Sequence, residues 1–233
     1  MVSDARISKK PLQAVKITTE QRSLAADPRA FDAKIVRSGL DFMSRFTRPF
    51  NDADVCQAAS SYAWVPGIIC LRALDVGHAI KPYELTKPKT GDECNTLALR
   101  LRLAIDGLQA PARAKAHPDL NNWLAKKITG LEFSVHPVYR SGAWLRVEIP
   151  VLKSLEQCVA YSIFLMIEDR WEFTDRVRFC PYSKQPGQEH WFLDVDDNGA
   201  PNIGAARTFC SDEHGNAYRQ REWRKQQAAA KHK

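Results

Sequence analysis

From Phe31 to Phe46 the chain reads FDAKIVRSGLDFMSRF, with Ile35, Leu40, Phe42, Met43 and Phe46 spaced so that much of the apolar content can share one helical face. A second helix is expected to begin in NDADVCQAASSY, where Asn51 or Asp52 can cap and acids fill the first turn. KPKTGDE, Lys87 to Glu93, reads as a loop, and CNTLALRLRLAIDGL, Cys94 to Leu108, as a helix ended by Gly107 and then Pro111. HPDLNNWLAKKI predicts a short helix capped near Asp119. The period then shifts towards two: LEFSVHPVYR and AWLRVEIPVL, separated by Ser141 and Gly142, predict a β-hairpin. From Leu152 to about Thr174, Leu155, Cys158, Val159, Leu165 and Met166 return to helical spacing. Beyond that helix, HWFLDV and AARTFC flank a turn-rich centre and predict a second hairpin leading into a terminal helix.

This order gives an α+β chain: a mainly helical N-terminal domain with a β-hairpin, followed by a small C-terminal ββα module. The expected division is a leader over residues 1–27, the larger domain over 28–175, the module over 176–228 and a tail over 229–233. Charge density rises in EDRWEFTDR, where the core of the larger domain should end, so a fragment stopping near Asp175 is expected to fold by itself. A length of 233 residues suits one larger domain with an appendix. The polar N-terminus lacks the apolar stretch of a secretory signal. The densest apolar run, VAYSIFLMI, is too short to cross a bilayer. A cytoplasmic protein without membrane association is the expectation, and its six cysteines should be thiols or metal ligands.

Charge adds a partner to this picture. The formal net charge is +7, and six cations after His214 against Glu222 alone supply +5 of it. Such concentration points to a polyanion, nucleic acid first. Arg219, Gln220, Arg221, Arg224 and Lys225 are the candidate nucleic-acid contacts, with Gln220 and Arg224 the candidates for reading bases. Asn216 is expected to cap a helix starting at Ala217, and Trp223 to pack that helix against the hairpin.

Cys180 lies before the second hairpin, Cys210 at its end and His214 four residues later. Small zinc modules draw two ligands from a loop before a hairpin and two from the strand-to-helix junction. His190 is the candidate for the missing ligand, completing C-x9-H-x19-C-x3-H. DVDDNG matches the first half of a calcium loop, but position twelve is Ala205 where a glutamate is needed, so a turn with positive φ at Asn198 and Gly199 is expected instead. His78, His117 and His136 are isolated, and Cys56, Cys70, Cys94 and Cys158 read as small core residues. No phosphate loop, nucleophile elbow or HExxH motif argues for an enzyme.

The stretch from Arg178 to Lys225 resembles the CGNR zinc-finger family. CPYS carries the first ligand, WFLD the strand, DNG the turn, RTFCSD the third ligand and HGNA the signature, with His214 in a cysteine position. GLDFMSRF, LALRLRLAI, LNNWLA, the first hairpin and the long helix resemble the ABATE domain that precedes this finger. The resemblance implies a structural zinc, DNA binding and transcriptional regulation, with the larger domain sensing a small-molecule effector or forming a homodimer. The chain departs from the family at Gln188, where a second cysteine belongs, and at Ala217, where the signature has arginine. A protein-interaction adaptor with a purely structural finger and a small-molecule-binding larger domain are the alternatives.

Overall fold

The computed structural model describes residue 24 and residues 27–45, 49–75, 83–109, 117–140, 142–168, 171–182, 190–202 and 207–231. Most of the leader, Phe46, His78, Gln188, Ala205 and the last two residues of the tail lie outside the described residues.

Helix α1, Pro28–Ser44, is the axis of the molecule. Proline occupies its first turn, and the Asp27 carboxylate accepts from Arg29 N at 2.8 Å, so the helix starts three residues before Phe31. It is buried nearly all round: Phe31, Ile35, Leu40 and Phe42 are sequestered on several sides rather than on one face. Asn51 caps a short 3-10 turn, Asp52–Asp54, through a reciprocal bond pair with Asp54, and this turn runs into α2, Val55–Ser60. Helices α3 (Val65–Asp75), α4 (Gly91–Gln109) and α5 (Pro118–Thr129) follow. Asp119 sits in the first turn of α5 and does not cap it.

Strands β1, Glu132–Arg140, and β2, Ala143–Val151, pair antiparallel as the alternating pattern predicts. Helix α6, Leu155–Glu168, stops short of Thr174. Glu172 adopts a left-handed φ of 57°, which an α-helix cannot accommodate, and Thr174–Arg176 forms a 3-10 turn. The Tyr62 and Ser162 hydroxyls lie 2.8 Å apart and Ser162 donates to the Ile35 carbonyl at 3.0 Å, tying α6 to α1 and leaving neither buried hydroxyl without a partner.

The C-terminal strands depart from the sequence expectation. Strand β3, Val177–Phe179, pairs antiparallel with β4, Trp191–Leu193, whereas the pattern predicts HWFLDV against AARTFC. The reason is burial: the opposed Val177 and Leu193 both enter the core, and β4 lies against α1. DVDDNG does form a turn. Asp196 Oδ1 accepts from Asn198 N at 2.9 Å and Ala200 N at 2.8 Å, and of the Asn-Gly pair only Gly199 has positive φ, at 77°. Gly199 is also pressed onto α1, where an added Cβ would stand 2.8 Å from the Arg29 carbonyl oxygen. Helix α7, Asp212–Lys231, ends the described chain. Among the described residues no helix is long and apolar enough to cross a membrane.

Core packing crosses the boundary expected near residue 175. Val177, Leu193 and Val195 belong to the same buried cluster as Phe31 and Phe42. Arg37 donates to the Val195 carbonyl at 2.6 Å and the Asp196 carbonyl at 2.7 Å, and Arg29 to Gly199 O at 2.9 Å. Burying three such side chains contributes on the order of 5 kcal/mol, comparable with a whole domain's net stability. A chain truncated after Asp175 should therefore lose its near-ultraviolet circular dichroism or unfold at a clearly lower temperature. An unchanged unfolding midpoint would show that α1 does not depend on β4.

Candidate metal centre

The β3–β4 ladder continues one step past its last paired residues, because Cys180 N donates to the His190 carbonyl at 2.8 Å. Two residues separated by nine in sequence thus stand side by side at the open end of the ladder. Cys210 and His214 arrive from the other direction, at the start of α7. Ser211 caps this helix: its hydroxyl accepts from His214 N at 3.3 Å, and its carbonyl accepts from Gly215 N at 3.1 Å. Asp212 and Glu213 follow in the first turn, where negative charge meets the positive end of the helix dipole. Asn216, expected to be the cap, lies within the helix and accepts instead from Arg219 Nη2 at 2.6 Å. Gly215 is buried against Phe209, whose ring an added Cβ would meet at 3.2 Å. This packing fixes the first turn of α7 on the preceding segment.

The ligand atoms of Cys180, His190, Cys210 and His214 all lie within 4.8 Å of one another. Cys180 Sγ is 3.7 Å from His214 Nδ1, and Cys210 Sγ is 3.4 Å from His190 Nδ1 and 2.8 Å from His214 Nδ1. A tetrahedral ion bound at 2.0–2.3 Å sets its ligands about 3.6 Å apart, so opening the shortest contact and drawing in the widest, each by about 1 Å, would admit one. Two thiols and two imidazoles within this span are compatible with a structural metal. Burial, and next the Cys180 thiol beside it, pushes the Cys210 thiol up to about 11. Burial, and next His214, pushes the His190 imidazole below its ordinary value. Both shifts favour uncharged groups, the state in which a donor set of this kind rests before an ion joins it.

Cys180 is fully buried at the back of the cluster. The other three ligands open on a cavity of about 720 Å³ whose far wall is α1 at Arg37, Leu40 and Asp41. On the near side an aromatic layer adjoins the cluster, with Tyr182 and His214 ring centroids 4.9 Å apart and the Arg221 guanidinium 5.8 Å over Tyr182 and 5.4 Å over Tyr218.

The remaining candidates fall on one exposed helix. Gln220 and Arg224 have no hydrogen-bond or ion-pair partner among the described residues, and Lys225 pairs with Glu222 at 2.8 Å. Trp223 is exposed rather than packed as expected, as are the described side chains that follow it on the helix. The missed features are strand β3, signalled by Val177 and Phe179 alternating with arginines, and the Ser211 cap, signalled by SDE ahead of a helix. Of the other cysteines, Cys94 and Cys158 are buried as expected, and Cys56 is exposed.

Comparison of the chain with protein-family models, with curated proteins and with solved structures finds no match.

Ser211→Ala removes the acceptor for His214 N and should cost about 1 kcal/mol, seen as a lower thermal midpoint and reduced helical circular dichroism. Ser211→Asp should restore both. If Ser211→Ala left the midpoint and the helical signal unchanged, the cap would not be holding the first turn of α7.

Proposed function

We propose that the chain is a DNA-binding transcriptional regulator whose C-terminal ββα module, residues 176–228, is stapled by one structural zinc and presents α7 to DNA. The observation that carries this reading is the gathering of four ligand atoms within 4.8 Å at the root of an exposed basic helix. An S2N2 donor set in a tetrahedral span suits zinc. Two thiolates cancel the charge of the divalent ion, which is what the fully buried Cys180 requires. The resemblance to the CGNR family supports Cys180, Cys210 and His214, the last in place of a cysteine, while His190 serves from two residues beyond Gln188, where the family has its second cysteine. On that resemblance, the domain over residues 28–175 senses a signal or mediates association.

Helix α7 suits the second half of the reading. Its 20 residues span about 30 Å, and from Trp223 onward its described side chains are exposed, a shape that a DNA major groove admits. Arg219, Arg224 and Lys225 supply phosphate contacts. Arg221 is held between two tyrosine rings and serves chiefly to orient the helix on the metal centre.

Protein purified without chelator should contain one zinc per chain, and Cys210→Ser should contain none. The pH dependence has a definite sign. Without metal the Cys210 thiol, held up to about 11, keeps its proton at neutral pH, and zinc must displace it. His190, lowered, is already neutral and offers none to displace. Affinity should thus fall at least about tenfold per unit drop in pH, measured by competition with a chromogenic chelator. A stoichiometry near zero, or an affinity independent of pH, would count against the site.

For DNA, three or four phosphate contacts predict a slope of log K against log salt of roughly −3, flattened by about two units in Arg224→Ala/Lys225→Ala. Equal slopes for wild type and variant would favour the adaptor reading, for which the exposed Trp223 is the natural anchor.

A further inference from the structure

The β1–β2 hairpin is nine residue pairs long, about 30 Å, and among the described residues it is fixed to the body of the molecule at its base, where Ile149 and Pro150 are buried and β2 meets α3. A two-stranded ribbon of this length is marginal in water without a covering layer. Directly opposed residues share a face, and the register sets Val135 against Glu148 and Tyr139 against Trp144. One face therefore carries Phe133, Val135, Tyr139 and Trp144, with relative exposures of 41%, 47%, 61% and 73%. Tyr139 and Trp144 meet edge to face at 5.4 Å near the turn, forming a single aromatic block. Together these four side chains leave roughly 500 Å² open, at the upper end of what a lone soluble domain exposes in one patch.

We propose that this face is a dimer interface, covered by the same face of a second copy of the chain. Charge favours that occupant. The chain as a whole is at +7, but the face holds one cation and one anion, Arg146 and Glu148, paired with each other at 2.6 Å. It offers nothing to attract a polyanion or an anionic membrane, and two such faces meet without repulsion. A two-fold axis needs only a self-complementary patch, which an apolar stripe with an internally neutralised pair provides. Area points the same way: two copies together would cover about 1,000 Å², the lower bound for a specific interface and a size typical of weak, reversible association. The Tyr139–Trp144 block is the anchor, since large aromatics dominate such contacts.

The test is sedimentation velocity on the full chain from about 1 to 200 µM, with duplex DNA and anionic phosphatidylserine vesicles as separate binding arms. The wild type should be a micromolar dimer. Trp144→Glu should raise the dissociation constant roughly hundredfold, because the change enters the contact twice. Trp144→Ser should raise it less, and both variants should keep the wild-type far-ultraviolet circular dichroism and zinc content. Wild type that stays monomeric at about 200 µM, or variants that dimerise as tightly as wild type, would overturn the proposal. So would a monomeric wild type whose duplex or vesicle binding is lost in Trp144→Glu, since the face would then belong to that partner.

Discussion

Strands β3 and β4 are three residues each, too short to stand as a sheet, and the C-terminal quarter of the chain depends on what holds them together. One end is held by apolar burial, with Val177 and Leu193 in the common core against α1. The other end is held by the Cys180 to His190 backbone bond and by the four-residue cluster gathered there. The pairing decides where the ligands stand. Sliding β4 by one residue would turn Leu193 out of the core and separate His190 from Cys180.

This arrangement couples the larger helical body to the Cys/His cluster. Helix α1 is packed by α6 on one side and β4 on another, and it donates through Arg29 and Arg37 to the carbonyls of the turn that follows β4. The cavity beside the cluster is walled by the same helix. A signal that shifted α1 would reach the cluster through directly packed groups, which gives the proposed regulator a physical link between its two parts.

Much of this is legible in the sequence. The helical period of FDAKIVRSGLDF, the alternation on either side of the first turn, and the gathering of His190 with Cys180, Cys210 and His214 all have counterparts in the structure. What is not legible depends on tertiary context. VRF is too short a run to declare itself a strand, and only the partner Leu193 and the face of α1 make it one. Past α6, Glu172 is left-handed, a conformation no local pattern announces and one that a helix running to Thr174 could not contain. Trp223 is large and apolar, which predicts burial, yet it is exposed together with the described side chains that follow it on the helix.

Zinc-edge X-ray absorption on the purified protein decides whether Cys180, His190, Cys210 and His214 close around one zinc ion at the root of α7. Two sulfur neighbours at about 2.3 Å and two nitrogen neighbours at about 2.0–2.1 Å are expected. A shell of nitrogen and oxygen alone, or a spectrum unchanged in Cys210→Ser, would contradict that closure.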